Sequence, residues 1–353
     1  MSMSLGEICS DLLSRYTARQ WLDLTFDGFR VRVRSNAEAL IGELGKVYAG
    51  YVDTHHGEFV TIVAIEGPAP EPPCALRPQP PSPGKTRIKE AFLDLPDGRI
   101  ATRIGTGMMF LFGQGRHVVV GPCLAQQNRV VDFINSRYCQ WRVANGAVLF
   151  HVAGLELDGR GVALAGFPGR GKSTLALHLM NHGGRFVTND RALVCRNQND
   201  VIMHGVPKAP RVNPGTLLTN QSLAHMLAAK NRAEYEALPM AQLWEVESKY
   251  DVDVTRCFGQ GRQLQHCSLD ALVILNWRPA SGIARISEID LHNRNDLWST
   301  FTKRLGLFCD PDPKRNTFTE DMDRYLSLLD IGRAFEITGG VDFEAAVDAC
   351  MNL

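Results

Sequence analysis

Residues 166–174 read GFPGRGKST, and the placement of Gly166, Gly171, Lys172 and Ser173 is that of a loop built to hold phosphate. Glycines let successive backbone N–H groups turn inward around an anion, and a helix that starts there adds the partial positive charge of its N-terminus. Lys172 is placed to reach the outer phosphates, and Ser173 Oγ to ligate Mg2+. The candidate nucleotide-binding residues are therefore Gly166, Gly169, Arg170, Gly171, Lys172, Ser173 and Thr174. The context agrees. An apolar run, VALA, precedes the loop, and KSTLALHLMNH follows with Leu175, Ala176, Leu179 and Met180 as one helical stripe, stopped by Gly183-Gly184.

The next apolar run, RFVT, ends in Asn189-Asp190. A strand beside the phosphate-loop strand would deliver these residues to the crevice where phosphates sit, so Asp190 is expected to hold a metal or take a proton. No guanine-reading NKxD follows, and LVIL at 272–275 ends in Asn276 rather than an acidic residue. The chain does not read as an ordinary GTPase or motor ATPase. Three weaker clusters read as structure. His178 and His182 are four apart on a helix but lack the glutamate of a zinc protease. Asp53, His55 and His56 read as a polar loop, and Glu245, Glu247, Asp251 and Asp253 as an exposed acidic helix end that could equally bind magnesium or a basic partner.

The elements that must position these residues follow from periodicity. Leu5, Ile8, Leu12 and Leu13 recur at helical spacing; WLDLTF-DG-FRVRVR alternates as a hairpin; Asn36 is expected to cap the helix NAEALIGELGKVYAGYV, and EFVTIVAIE reads as a strand. Residues 67–84 hold eight prolines and read as an extended linker. From Thr86, TRIKEAFLD, IATRI, MMFLF and HVVV form a β-meander broken by turn residues. NRVVDFINSRY is helical, and VLFHVAGLELDGRGVALAG reads as two strands about an Asp-Gly turn. LDALVILNW is a buried strand; the C-terminal part alternates helix (MDRYLSLLDIG), strand (AFEIT) and a last helix opened by Asp342. The expected organisation is α/β: an N-terminal α+β region at 1–66, a proline-rich linker at 67–85 and a mixed-sheet P-loop domain at 86–353.

Thirty-eight basic residues balance thirty-eight acidic ones with no basic run, which argues against nucleic acid or anionic membrane as a partner. Nine scattered cysteines form no CxxC, and no eighteen-residue apolar run or basic leader is present, so a cytoplasmic protein is expected.

The spacings resemble those of the HPr kinase/phosphorylase superfamily, whose P-loop is distantly similar to that of phosphoenolpyruvate carboxykinase. His151 stands fifteen residues before Gly166, and Asn189 and Asp190 stand seventeen and eighteen after Lys172, in register with that family's histidine and aspartate pair. The segments GPCLAQQNRVVDFINSRY, GVPKAPRVNPGTLL and EVESKYDVD resemble the subgroup called HPr-kinase-related kinase B. The resemblance implies a kinase using ATP and Mg2+ on a hydroxyl of a protein or small-molecule acceptor, with Asp190 as base, His151 assisting, and closed homo-oligomers. Ser173 and Asp190 would share the metal. The chain departs from the pattern where the first aspartate is Asn189, where Thr174 replaces a glutamate, and where an Arg-Gly-x-Gly signature is missing. Lys208 and Arg211, in GVPKAPRVNPG, are candidates for neutralising the moving phosphoryl group. These departures put HPr in doubt as acceptor. A nucleotide-binding regulatory switch with little transfer is the alternative reading, and carboxykinase chemistry is poorer for want of a second metal-ligand set.

Overall fold

The structure, a computed structural model, describes residues 4–54, 57–81, 86–279, 282–309 and 322–353. The chain divides into two compact units: one holds the residues up to Ala144 and a short stretch from Arg304, the other runs from Asn145 to Lys303 and includes the C-terminal segment from Met322.

In the first unit, α1 (Leu5–Arg15) is opened by a capping box in which Ser4 and Glu7 satisfy each other's backbone N–H, and it buries Leu5, Ile8, Cys9 and Leu12. Strands β1 (Gln20–Phe26) and β2 (Phe29–Ser35) meet at Asp27-Gly28, both at positive φ, as a two-residue hairpin requires. Helix α2 (Glu38–Val47) corrects one expectation: Ala37 is its N-cap. Asn36 is drawn away because its amide exchanges two hydrogen bonds with the Glu66 backbone, at 2.9 and 2.8 Å. Strands β3 (Val60–Glu66), β4 (Arg77–Pro78), β5 (Glu90–Leu95), β6 (Gly98–Arg103), β7 (Met108–Gly113) and β8 (Arg116–Gly121) follow, then α3 (Gln127–Ala144). Asp53 accepts from Arg30 Nε at 2.9 Å; His55 and His56 lie outside the described residues.

These eight strands form one sheet in the order β1-β2-β3-β8-β7-β6-β5-β4. The division at 66/86 expected from composition therefore differs from the observed one, which falls at 144/145. The reason is that β3 satisfies its backbone groups on β8, across the proline-rich segment. That segment supplies the edge strand β4, where a proline is tolerated.

The second unit carries β9 (Val148–Phe150), β10 (Ala153–Leu157), β11 (Arg160–Gly166), α4 (Lys172–Asn181), β12 (Arg185–Thr188), β13 (Ala192–Asn197), β14 (Asp200–Gly205) and β15 (Arg211–Val212). Next come α5 (Pro214–Thr219), α6 (Ala229–Glu236), α7 (Met240–Glu245), β16 (Tyr250–Asp251), α8 (Val254–Phe258), β17 (His266–Ser268) and β18 (Ala271–Leu275). The unit ends with β19 (Arg285–Glu288), α9 (Met322–Leu329), β20 (Arg333–Thr338) and α10 (Phe343–Met351), the last capped by Asp342.

Its six-stranded sheet runs β12-β10-β11-β18-β20-β19, with β11, β18 and β20 parallel at the centre. Both faces of the central strands are covered. Val162, Leu164, Val273 and Leu275 pack towards α4 and α10, while Ala163, Ala165, Leu272 and Ile274 join Phe150, Phe301 and Tyr325. Two covered faces are why LDALVILNW is continuously apolar rather than alternating; burying each Val or Leu there stabilises by roughly 1.5–3 kcal/mol. A four-stranded antiparallel sheet, β17-β14-β13-β9, and the short β15–β16 pair complete the unit. The architecture is mixed α/β.

Two expectations change here. VLFHVAGLELDGRGVALAG makes three strands, since β9 leaves to pair with β13 while β10 and β11 form the hairpin. Consequently β12 is not beside β11: it pairs antiparallel with β10 at the sheet edge, and β18 takes the place next to the phosphate-loop strand.

Candidate active site

The loop after β11 closes as its sequence demands. Gly169 and Gly171 adopt φ of +79° and +85°, which disfavours residues with a Cβ, and Arg170 N–H turns back to Phe167 O at 3.2 Å. Gly171 then serves as the N-cap of α4, and its carbonyl accepts from Leu175 N–H at 2.8 Å. A Cβ on Gly171 would also lie 2.8 Å from Phe343 Cζ. The Arg170 carbonyl is held by Trp277 Nε1 at 2.9 Å, so the segment that follows β18 steadies the loop.

Lys172 is the first residue of α4, and its Nζ donates to the Gly166 carbonyl at 2.7 Å. Burial pushes this ammonium's pKa down to about 8; the Asp190 charge opposes that shift and the Lys303 charge adds to it. Ser173 Oγ donates to Asn189 Oδ1 at 2.8 Å. Thr174, buried, shares a 2.8 Å hydrogen bond with Thr216 of α5. The edge position of β12 thus does not prevent its C-terminal residues from reaching the phosphate loop.

Asp190 follows in the turn between β12 and β13 and takes φ of +71°. A left-handed backbone is tolerated by aspartate but costs free energy, and such residues collect where the surroundings hold them for a task. Thr188 Oγ1 braces the turn, donating to Arg191 O and accepting from Val206 N–H. Oδ1 of Asp190 accepts from Lys303 Nζ at 2.9 Å and lies 3.4 Å from His151 Nε2; Oδ2 lies 3.6 Å from Arg191 Nε. Burial alone would raise this carboxyl's pKa, but the hydrogen bonds from His151 and Lys303 and the Arg191 charge hold it far below the usual carboxylate range.

Lys303 has no motif around it, and its spacing from Asp190 is 113 residues. Packing brings it in. Phe150 bridges to Thr302, His151 N–H donates to Phe301 O at 2.7 Å, and Tyr325 Oη accepts from Lys303 N–H at 3.2 Å while donating to Leu149 O at 2.7 Å. The rings of Phe150 and Tyr325 stand 4.8 Å apart. One buried tyrosine therefore fixes both chain segments that present His151 and Lys303 to Asp190.

The structure thus gathers Lys172, Ser173, Asn189, Asp190, His151 and Lys303. It does not add Arg211 to that group: Arg211 Nε is paired with Asp251 at 2.9 Å across β15 and β16. Lys208 is half-buried in the loop between β14 and β15. Of the acidic cluster, Asp251 is this ion-pair partner and Asp253 caps α8. His178 stacks on Phe343, with ring centroids 5.5 Å apart.

The phosphate-loop serine thus meets Asn189, and His151 lies against Asp190. The chain is similar to HPr kinase/phosphorylases. It is 27% identical over 143 residues to the HPr kinase/phosphorylase of Pediococcus pentosaceus, covering 39% of this chain and 42% of that protein. With the HPr kinase/phosphorylase of Lactobacillus acidophilus it is 26% identical over 131 residues, 36% of this chain and 40% of that one. The chain thus spans about two fifths of the length of the curated relatives it matches. A solved Hpr(Ser) kinase/phosphatase from Coxiella burnetii is 13% identical, with a TM-score of 0.29 over 58% of this chain and 88% of that one, a loose overlay. No protein-family model matches the chain. Among the described residues, no helix is long and apolar enough to cross a membrane.

Proposed function

We propose that the second unit is an ATP-dependent kinase that uses Mg2+ to pass the γ-phosphoryl group to a hydroxyl of a protein or small-molecule acceptor. The observation that carries this reading is Asp190: an ionised carboxylate in a left-handed turn beside a phosphate loop, clamped by His151 and Lys303. Such a carboxylate needs only placement to take the acceptor's proton as the bond to phosphorus forms. Asp190 is the base, and His151, at hydrogen-bond distance, steadies it.

The donors fit Mg2+. Ser173 Oγ, Asn189 Oδ1 and the Asp190 carboxylate are hard oxygens, the set that magnesium prefers. When bound, the metal would neutralise charge on the phosphates. Lys172 would exchange the Gly166 carbonyl for a phosphate oxygen, and backbone N–H groups of residues 169–174 would cradle the phosphates. Lys208 is the loop cation proposed to face the transferring group; Arg211 could do so only by leaving Asp251.

The alternative, a nucleotide-binding regulatory switch, draws on one observation. Lys303 already neutralises Asp190 Oδ1, and Asn189 contributes no charge, so the site has fewer carboxylates to spend on a metal. Thermal unfolding tests the shared part of both readings. Wild type should melt a few degrees higher with MgATP and Lys172→Ala should not; no rise in wild type, or an equal rise in the variant, would overturn the phosphate-loop assignment.

A further inference from the structure

We propose that the aromatic pair Trp244 and Phe343 is the seat of the nucleotide's base, so that the site selects a nucleoside triphosphate over inorganic phosphate chains. The inference rests on the phosphate-loop reading above and adds to it the part of the ligand that the loop does not touch. Thr174, at the start of α4, is bonded to Thr216 of α5 at 2.8 Å. The neighbouring Gly215 lies under the Trp244 indole, so closely that a Cβ there would meet Cε3 at 2.8 Å. Phe343 covers Gly171 from α10, and the two rings stack at 6.0 Å with an interplanar angle of 29°. Edge contact with Trp277, at 5.1 Å, and the stacked His178 ring, at 5.5 Å, hold the Phe343 ring, so that Trp244 offers the exposed surface of the pair.

The aromatic wall therefore begins where the phosphate cradle ends and runs outward along the same helix start. Trp244 retains 38% exposure although it is seated on the buried Gly215. A base has a π-face of matching size and polarity, and stacking reads that face whatever its edge carries. Inorganic triphosphate has nothing to place there.

Isothermal titration with MgATP and with magnesium tripolyphosphate, on the full chain, separates the contributions. Trp244→Leu should weaken MgATP binding by about tenfold or more while leaving tripolyphosphate within about twofold, and Trp244→Phe should recover most of the loss. Phe343→Leu should act in the same direction. Unchanged tripolyphosphate binding also certifies that each variant is folded. If wild type binds tripolyphosphate as tightly as MgATP, or the leucine variants lose both ligands equally, the stacking seat is wrong and the phosphate loop stands. Should wild type bind neither, the phosphate-loop reading falls with it.

Discussion

Ser173 Oγ and Asn189 Oδ1 are joined by a 2.8 Å hydrogen bond, so the hydroxyl expected to ligate a metal is held by a neutral amide. The side chain that faces the serine therefore brings no negative charge to it. Metal affinity in oxygen sites follows ligand charge count. Asn189→Asp should therefore lower the Mg2+ concentration needed for half-maximal nucleotide protection by on the order of tenfold. A magnesium titration at fixed ATP measures it, and an unchanged midpoint would remove residue 189 from the metal site.

Lys172 sets a pH limit. In the ligand-free protein burial lowers its pKa to about 8, and phosphate binding requires the ammonium form. Below about pH 8 the lysine is charged and MgATP affinity should be flat. Above it, affinity should fall by up to about tenfold per pH unit until the higher pKa of the complex is passed. Removing the Lys303 charge should move that fall to higher pH. Affinity that is level from pH 7 to 10 would mean that Lys172 does not meet the phosphates.

Lys303→Met should cost turnover rather than nucleotide binding, because Lys303 bonds to Asp190, the proposed base. A fall in kcat by about 10- to 100-fold is expected, with MgATP Kd within a few-fold and partial recovery in Lys303→Arg. If the kinase reading is right and the methionine variant turns over normally, Asp190 is held well enough by His151 alone.

Much of this was legible beforehand, and the reason is local. Gly166 to Thr174 declares itself because phosphate loops need particular residues at fixed offsets, and Asp342 and the Asp27-Gly28 turn are read from chemistry within four residues. The misreadings are non-local. Asn36 looks like a cap until Glu66, thirty residues away, takes its amide. The proline-rich stretch looks like a boundary until β3 pairs with β8 across it. Lys303 carries no signal at all, since it reaches Asp190 through the packing of Phe150, Phe301 and Tyr325 and the hydrogen bonds beside them.

That stacking makes Tyr325 a test of how the site is built. Tyr325→Phe keeps the ring between Phe150 and Phe301 but leaves Lys303 N–H and Leu149 O without the hydroxyl. An unsatisfied buried group costs about 1–3 kcal/mol, so stability should drop by that order and turnover with it. Denaturant unfolding and steady-state rates measured together would check this; a variant as stable and as active as wild type would show that the hydroxyl positions nothing.

Arg211→Ala should be mild. Its partner Asp251 is exposed, and pairs of that kind contribute about 1 kcal/mol or less. Lys208→Ala should lower kcat by on the order of a hundredfold if that lysine meets the moving phosphoryl group. Equal, small effects from both substitutions would make GVPKAPRVNPG a structural loop only.

The most direct measurement of the central claim is transfer from γ-labelled ATP, using wild type and Asp190→Asn with lysate from the native source fractionated into proteins and small molecules. Label should move to a discrete hydroxyl-bearing acceptor with wild type and Mg2+. It should fall by at least about a hundredfold with Asp190→Asn, whose MgATP affinity stays within a few-fold of wild type. Label that never leaves ATP in the presence of wild type would contradict the account and leave a nucleotide switch in its place, and an Asp190→Asn variant that transfers at the wild-type rate would contradict it by removing Asp190 as the base.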